Sequence, residues 1–457
     1  MEHGNYNILP RECRIVDVKT VKDERGVLSI ADSDNLPFKV ERTFWIYGVP
    51  EGETRGGHAH RECAELIFPL SGGFDIMVDD GKEVREFCME VPDRGIYIGP
   101  YVWCELKNFR PGTVCMVLAS HPYMSEGYIN DYESFRDTKI TVHRFTPQLT
   151  DDWDEFIDGA GNGTFLLKRR FMDYHSDRFT DVSMLFYNEK GRIIAVLPAN
   201  YDEGTKTVWS HQGLTYGGLI MAKDICAVQV GEIFKLMTDY LSMMGVSTLL
   251  YKPVPYIYNE LPSEDDLYWL FRYGAELCCR GLSQSVKLGS AFRLPESRRS
   301  GIRKARNAGV TVERTDDVAH FWEVLNQTLQ CCHGVKPVHS AAELELLMGR
   351  FPENIKLYVA RLGDEVLAGS VVFDCGKVVH TQYLAASPKG KQMGALDLVI
   401  NVLITEVFAD REYLDFGIST EQGGLVLNEG LAFQKEMFGG RGVNYDCWKY
   451  EIRNAAR

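Results

Sequence analysis

The sequence predicts a multidomain chain in which an all-β barrel is followed by a larger α+β region built from two similar halves. The chain has 457 residues, and at about 100–200 residues per domain this length predicts more than one domain. Residues 12 to about 120 contain short apolar runs separated by turn residues, with no helical period of useful length. From residue 151 onward, helical and strand patterns alternate in two series with a similar order of elements. We therefore place the domains at 1–145, 146–290 and 291–457.

The composition excludes several classes of partner. The formal net charge is −14, which argues against nucleic acid and anionic membranes because both are bound through basic surfaces. No run of 18 or more apolar residues occurs, so we expect no membrane-spanning helix. The first residues lack the basic and apolar regions of a signal peptide, and the twelve cysteines include no C-x-x-C pair. We expect a cytoplasmic protein with free thiols.

Individual elements follow from local patterns. The first domain contains the strand-like runs FKVERTFWIYGV, AELIFPLSG, GFDIMVDDG and REFCMEV, and Asp80-Gly81 predicts a hairpin. In the second region Lys190-Gly191 predicts another hairpin, and VGEIFKLMTDYLSMMG has apolar residues at helical spacing. The last series predicts a helix through HFWEVLNQTLQ, a hairpin through IKLYVARLGDEVLAGSVVFDC, the strand VVHTQYLAAS and the helix ALDLVINVLITEVFAD.

The segment GETRGGHAHRECAELIFPLSG carries the sharpest chemical signal. His58 and His60 are two residues apart on a predicted strand, so their side chains point to the same side. Three interpretations are open: two surface or core histidines, a metal site completed by Glu65, and acid–base chemistry without a metal.

The spacing from Gly52 through His58, His60 and Glu65 to Gly72 resembles the first cupin motif. This resemblance implies a jelly-roll barrel. Trp103, in YIGPYVWCELKNF, stands where the second cupin motif usually brings another histidine ligand, and an indole cannot coordinate a metal. We therefore predict no metal, with His58, His60 and Glu65 as the alternative metal site.

Residues 12–137 resemble the dTDP-4-keto-6-deoxyglucose 3,4-ketoisomerases, the WxcM-like branch of the cupins. The matching stretches are RTFWIYGVPEGETRGGHAH, LSGGFDIMVDDGKE, GIYIGPYVWCELKNF and VLASHPYMSEGYINDYESF. The resemblance implies a dTDP-sugar substrate, no cofactor and a homodimer formed through the cupin domain. Glu65 departs from the family, which usually has a neutral residue there.

The resemblance also implies roles for single residues. His58 and His60 would move the proton, with Tyr47 as a hydroxyl donor. Arg55 is a candidate for binding the pyrophosphate, because guanidinium binds phosphate in a bidentate manner, although a surface arginine beside a turn is the alternative. The aromatic candidates for lining the cavity or stacking on the base are Tyr97, Trp103 and Tyr128, for which plain core packing is the alternative.

A second motif, HTQYLAASPKGKQMGALDLVINVLI, predicts a strand, a glycine loop and a helix. Small residues at a helix N-terminus let backbone N–H groups approach a phosphate, although a tight turn before a packed helix has the same pattern. The loop resembles the pyrophosphate loop of GNAT acyltransferases, and LDFGISTEQGGLVLNEGLAFQKEMFGG resembles the FemAB-like branch with its two GNAT-like halves. The resemblance implies acyl-CoA as co-substrate, held by Gly390, Gln392, Gly394 and Ala395.

Candidate residues for acyl transfer follow from the need for a base and for oxyanion donors. Glu421, Asn428 and Lys435 surround one predicted turn and helix, and the last two are seven residues apart, which predicts one helical face. His211, in the loop SHQGLTYGG, is a candidate contact for the acceptor sugar, and Asp415 follows a strand and would orient a partner. A solvated helix lysine and a structural turn are the alternatives.

Together the two resemblances predict a bifunctional enzyme of surface-polysaccharide biosynthesis. It would isomerise dTDP-4-keto-6-deoxyglucose and N-acylate a dTDP-3-amino-3,6-dideoxyhexose, with a separate aminotransferase acting between the two steps. The alternatives are a cupin that senses or binds sugar nucleotides, and a metal-dependent cupin enzyme, each joined to a non-catalytic GNAT-like scaffold.

Overall fold

The computed structural model describes residues 8–32, 34–333 and 337–452, with the backbone alone at residues 126 and 331–333. Within these ranges no helix is both long and apolar enough to cross a membrane. The cysteines whose side chains are described are free thiols, as predicted.

The N-terminal domain is an all-β barrel, as predicted. Its strands are β1 Cys13–Asp17, β2 Lys19–Asp23, β3 Gly26–Ile30, β4 Arg42–Tyr47, β5 Arg55–His60, β6 Glu65–Ser71, β7 Phe74–Asp79, β8 Val84–Met89, β9 Arg94–Ile98, β10 Trp103–Lys107, β11 Val114–Ala119 and β12 Tyr128–Ile129. One helix, α1 Tyr132–Arg136, follows them. The predicted Asp80-Gly81 hairpin joins β7 to β8.

Two sheets form the barrel in the described part of the chain. Their strand orders are β1-β9-β6-β11-β4 and β12-β5-β10-β7-β8, and the pairs within each are antiparallel. Alternate residues of each strand face the interior, where Ile67, Ile76, Ile96 and Cys104 belong to one apolar core. The outer face of the second sheet is covered by α1, whose Phe135 is fully buried.

The boundary after the barrel lies earlier than predicted. Residues Ile140–Arg144 form strand β13, which pairs with Met184–Asn188 of the following region. The predicted boundary at 145 assigns this strand to the barrel, whereas its hydrogen-bonding partner lies in the next half. Residue 139 is therefore the better limit.

The C-terminal region alternates helices and strands. Its helices are α2 Thr150–Gly159, α3 Arg169–Met172, α4 Ala227–Met243, α5 Asp265–Tyr273, α6 Glu296–Asn307, α7 Val318–His333, α8 Ala341–Arg350, α9 Pro388–Met393, α10 Ala395–Val402 and α11 Glu429–Glu436. After β13, its strands are β14 Thr180–Asp181, β15 Met184–Asn188, β16 Ile193–Leu197, β17 Asn200–Asp202, β18 Thr207–Trp209, β19 Ile220–Met221, β20 Thr248–Tyr251, β21 Glu276–Lys287, β22 Thr311–Thr315, β23 Ile355–Leu362, β24 Glu365–Asp374, β25 Val378–Ala386, β26 Tyr413–Ile418, β27 Thr420–Glu421, β28 Val426–Leu427 and β29 Arg441–Glu451.

The two halves of this region share one continuous sheet in the described residues. Its order is β14-β17-β18-β20-β29-β21-β26-β25-β24-β23-β22, so the last strand of the chain, β29, lies between β20 and β21. A smaller sheet, β13-β15-β16-β19, packs in the first half. The two predicted halves of this region are therefore joined by main-chain hydrogen bonds as well as by side-chain packing.

Strands β25 and β26 separate part of the way along their length. They pair in parallel from Val378–Tyr413 to His380–Asp415, and no pairing between them continues beyond these residues. Strand β25 continues to Ala386 along β24, with Gln382 bulged out of the register. The two strands therefore open a notch whose closed end is the His380–Asp415 pair.

Candidate functional sites

The histidine pair lies inside the barrel. His58 and His60 are on β5, and the intervening Ala59 packs on the outer face with Phe135, as strand alternation requires. Cys104 lies directly opposite His58 on β10, and Tyr128 lies opposite His60 on β12. The predicted common orientation of the two histidines is therefore what the strand geometry produces.

Three rings are in mutual contact at this site. The ring centroids of His58 and His60 are 5.0 Å apart, and Tyr128 lies 4.8 Å from His58 and 4.4 Å from His60. Burial and the neighbouring His60 lower the pKa of His58 below its ordinary value. Neutral His58 can therefore accept a proton at neutral pH.

A buried carboxylate and an arginine complete the cluster. Glu65 Oε1 lies 3.2 Å from His60 Nε2 and 3.5 Å from an Arg42 guanidinium nitrogen. Burial would raise the pKa of Glu65, but His60, His58 and Arg42 together hold it below its ordinary value. Arg42 also lies near the Tyr128 hydroxyl, where it opposes the burial that raises the pKa of Tyr128.

The same residues have the composition of a metal site. One ligand atom each from His58, His60 and Glu65 lie within 4.8 Å of one another. These donors fit a divalent cation, although Arg42 places a positive charge beside the carboxylate. The prediction of no metal assumed that Trp103 occupies the position of a ligand. This assumption is wrong, because Trp103 faces outward, whereas Cys104 faces the interior opposite His58. Burial and Glu65 raise the pKa of Cys104, which favours its protonated thiol.

Three of the predicted aromatic residues do not line this site. Tyr47 points outward from β4 and is 68% exposed. Tyr97 is buried on the outer face of β9, where its ring contacts Phe38, while Ile96 and Ile98 face the interior. Trp103 packs beneath α1, with its ring centroid 5.1 Å from that of Tyr132.

Arg55 begins β5 and is exposed, opposite Leu106. Arg55 is the first residue of β5 and His60 is the last, so the two lie at opposite ends of the strand. Of the substrate-binding candidates in the barrel, Tyr128 is the one that the structure brings to the histidine pair.

A second polar cluster lies at the closed end of the β25–β26 notch. Asp415 is fully buried and receives hydrogen bonds from Ser283 Oγ at 2.5 Å, Ser285 Oγ at 2.6 Å and Tyr445 OH at 2.8 Å. His380 Nδ1 lies 2.8 Å from Asp415 Oδ2. Burial acts to raise the pKa of Asp415, but His380 and the serines hold it below its ordinary value. The partner that Asp415 contacts is His380, so the predicted orienting role of Asp415 would act on this imidazole.

Lys435 ties the β26 side of the notch to α11. Its ammonium donates to Gly417 O at 2.7 Å, Ile418 O at 3.0 Å and Ser419 Oγ at 2.8 Å. Burial lowers its pKa to about 8. Lys435 also lines a cavity of about 190 Å³ beside the notch. The other walls of this cavity are Thr328, Leu384, Ala385, Ala386, Lys391, Leu396, Ile400, Phe416, Leu431, Gln434 and Phe438.

The prediction that Asn428 and Lys435 lie on one helical face is wrong. The helix begins at Glu429, and Asn428 caps it by accepting a hydrogen bond from the Leu431 backbone N–H. Asn428 Nδ2 donates to Glu421 Oε1 at 2.9 Å on the exposed side of the β27–β28 hairpin. Glu421 and Asn428 thus form a surface pair, separate from the buried contacts of the Lys435 ammonium.

The predicted acyl-CoA loop forms α9 and the start of α10. Gly390 is buried, and a Cβ there would lie 2.1 Å from Leu367 O; a Cβ on Gly394 would lie 2.4 Å from Gly301 O on α6. Gln392 O accepts a hydrogen bond from Lys304, and Ala395 is fully buried. Close packing, which was the alternative interpretation, therefore accounts for the two glycines, and α6 covers the start of α10.

His211 lies in a buried group of rings in the first half. Its ring centroid is 5.3 Å from that of His175 and 5.4 Å from that of Phe179. Burial, with a smaller effect of His175, lowers the pKa of His211 to about 3. The side chain is almost inaccessible, so the structure does not present it to a solvent-filled cleft.

Sequence reasoning missed Arg42 and His380. Arg42 alternates with Phe44 and Ile46, both packed against the barrel core, and an arginine in phase with inward apolar residues was an available signal. His380 gave no comparable signal, because its partner Asp415 is 35 residues away and only the parallel pairing of β25 and β26 joins them.

The folds and sites together define a two-domain protein, a cupin-type domain with an inward histidine pair joined to an acyltransferase-type domain with splayed parallel strands. Residues 11–140 match the family described as FdtA: WxcM-like, C-terminal, and residues 296–422 match the acetyltransferase (GNAT) domain family. The chain is 35% identical over 126 residues to the TDP-4-oxo-6-deoxy-alpha-D-glucose-3,4-oxoisomerase of Aneurinibacillus thermoaerophilus, covering 27% of this chain and 91% of that protein. Through its barrel the chain belongs to the WxcM-like family.

Two solved structures are also similar. The TDP-quinovose 3,4-ketoisomerase of Campylobacter jejuni is 35% identical, with a TM-score of 0.27, over 27% of this chain and 96% of that one. FemX is 12% identical, with a TM-score of 0.51, over 68% of this chain and 97% of that one, a likeness of fold alone. The two family matches and the similarity to the oxoisomerase make the chain an isomerase domain fused to an acyltransferase domain.

Proposed function

We propose that the barrel converts TDP-4-keto-6-deoxyglucose into its 3-keto isomer, and that the C-terminal region N-acylates a TDP-3-amino-3,6-dideoxyhexose. The observation that carries the first activity is the pair His58 and His60, facing one interior with Tyr128 against both rings. Its support from relatives is the oxoisomerase that shares 35% identity over the barrel.

The isomerisation needs only proton transfers. A base removes the proton on C3, the electron pair forms the C3–C4 double bond, and the C4 oxygen takes up a proton to give an enediol. The C3 hydroxyl then loses its proton as C4 gains one, and the carbonyl ends at C3. No redox change occurs, so two positioned acid–base groups suffice.

The geometry favours distinct roles for the two histidines. We assign the first proton abstraction to His58, because its lowered pKa keeps the imidazole neutral. His60 is held by Glu65 at 3.2 Å, which fixes its ring and offsets positive charge on it during proton delivery. Tyr128 lies against both rings and can donate its hydroxyl hydrogen to the enediol oxygen.

The acyl transfer would take place at the β25–β26 notch. The apolar walls of the adjacent 190 Å³ cavity suit the acyl-carrying arm of acyl-CoA. The amine nitrogen attacks the thioester carbonyl carbon, the C–S bond breaks, and the CoA thiolate leaves with a proton. His380 is the base that we assign, because its Nδ1 is directed to Asp415 and Nε2 remains to accept the ammonium proton.

The acceptor amine must come from another enzyme. The isomerase product is a 3-keto sugar, and an aminotransferase must convert this carbonyl to an amine before acylation. Such chemistry belongs to the cytoplasm, where sugar nucleotides and acyl-CoA are formed.

We also propose a homodimer through the barrel, supported by the exposed apolar residues Val27, Leu28, Trp45 and Tyr47 on its surface.

The test is turnover of each substrate by the purified full chain. TDP-4-keto-6-deoxyglucose is incubated with and without a chelator, and the 3-keto product is followed by proton NMR. Product formed equally in both supports the metal-free mechanism, whereas loss on chelation and recovery with a divalent cation supports His58, His60 and Glu65 as a metal site. Tight binding without turnover would support a sensor. Release of free CoA with acetyl-CoA and the amino sugar tests the second activity.

A further inference from the structure

The acyltransferase region reaches the isomerase site. A small cavity lies beside His60, and its walls include Arg42 and Tyr128 from the barrel. Met243, the last residue of α4, forms another wall of the same cavity. This helix lies outside residues 11–140, the part of the chain that matches the WxcM-like family.

A specific contact holds α4 in this position. Tyr240 is one helical turn before Met243, so both side chains lie on the same side of the helix. The Tyr240 hydroxyl lies near the Glu62 carboxyl group, in the turn between β5 and β6, and Arg144 on β13 places its charge near both groups. His121 Nε2 lies 4.0 Å from the Glu62 carboxylate on the barrel side.

The space between Met243 and His60 is small. The cavity has a volume of about 10 Å³, enough for about one water molecule. A hexose seated against His60 on this side would contact or displace the Met243 side chain. Methionine is apolar and adaptable, which suits the deoxygenated face of a 6-deoxy sugar rather than its hydroxyl groups.

We propose that Met243 is a substrate-contacting wall of the isomerase site, so that the fused acyltransferase region helps to determine which sugar nucleotide the barrel accepts. The inference rests on the proposed isomerase function. It makes the isomerase site a composite of two domains, and Tyr240 is the positioning residue that sets the distance of the wall from His60.

The test compares variants of the full chain. Met243→Trp overfills the cavity and should raise the isomerase KM for TDP-4-keto-6-deoxyglucose by about tenfold or more, with CoA release unchanged. Met243→Leu keeps the apolar volume and should stay within about twofold of the wild type. Tyr240→Phe should raise KM while leaving kcat nearly unchanged. Val228→Trp, at an exposed position on the first turn of the same helix, is the control for a bulky substitution on α4.

Each outcome either supports or overturns the proposed role of Met243. A folded Met243→Trp variant with wild-type KM and kcat would overturn the proposal. If Met243→Trp fails to fold, then Met243→Ala, which truncates the wall, must alter KM or the preference between 6-deoxy and 6-hydroxy sugars, and its failure to do so is equally decisive. Calorimetric Kd values separate the two claims: a wild type that binds the sugar nucleotide without turnover, and loses binding on Met243→Trp, contradicts the function but supports the wall. A wild type that neither binds nor turns over contradicts both.

Discussion

His380 Nδ1 lies 2.8 Å from Asp415 Oδ2 at the last residue pair that joins strands β25 and β26. The pair therefore combines an acid–base group with the point where the sheet opens. Substituting His380 by Ala should lower the rate of N-acylation by about 100-fold or more, the usual cost of losing a general base. CoA release by the variant measures this effect. The isomerase rate of the same sample is the internal control, because the barrel lies elsewhere.

Asp415 should matter for stability as well as for rate. Its carboxylate accepts hydrogen bonds from Ser283, Ser285 and Tyr445 while fully buried. Asp415→Asn removes the charge and turns one acceptor into a donor that faces other donors. We expect a loss of about 2–4 kcal/mol in the free energy of unfolding. Denaturant titration measures this loss, and Asp410→Asn at an exposed position is the matched control. Equal unfolding midpoints for the two variants would contradict a stabilising role for the hydrogen bonds to Asp415.

Glu65 should influence the rate and the pH dependence of the isomerase, because its carboxylate is held ionised by a lowered pKa beside His60 and Arg42. Glu65→Gln keeps the shape but leaves Arg42 and His60 without their anionic partner. We expect kcat to fall by about 10- to 100-fold and the acidic limb of the pH profile to move. Exposed Glu41→Gln is the control. A Glu65→Gln enzyme with an unchanged rate and pH profile would show that the carboxylate plays no part in proton transfer.

Acid should destabilise the C-terminal region through its buried imidazoles. Burial lowers the pKa of His143 and His175 to about 4 and that of His211 to about 3. Between the ordinary value near 6.5 and about 4, the unfolded chain binds more protons than the folded one, so stability falls as pH decreases through this window. Thermal unfolding from pH 7.5 to 4.5 measures it. Replacing His175 and His211 by Gln and Asn should flatten this pH dependence, and an unchanged slope would contradict it.

The common orientation of His58 and His60 could be predicted from the sequence, because it depends only on their spacing along one strand. Residues two apart on a strand share a side, and this rule needs no knowledge of tertiary structure. The resemblance to the second cupin motif misplaced Trp103, because the side that faces the interior depends on register, and a shift of one residue exchanges Trp103 for Cys104. Tyr97 was misplaced for the same reason, since Ile96 and Ile98 face the core instead.

The second site could be predicted only in part, because it depends on pairing between strands that are distant in the sequence. The series of helices and strands predicted two α+β halves, but not that β29 lies between β20 and β21 and joins them. Asp415 was identified as an orienting residue, whereas His380 required the parallel β25–β26 pairing. The contact of Met243 with the barrel depends on the docking of one domain on another, which no local pattern encodes.

The most direct test of the account is deuterium incorporation during isomerisation in D2O. Wild-type protein incubated with TDP-4-keto-6-deoxyglucose should give a 3-keto product that carries deuterium at C4, because the proton returned to this carbon exchanges with solvent. His58→Asn and His60→Asn should each abolish the product while CoA release by the C-terminal region continues. Deuterated product formed at the wild-type rate by both variants would contradict the central claim that this histidine pair moves the proton.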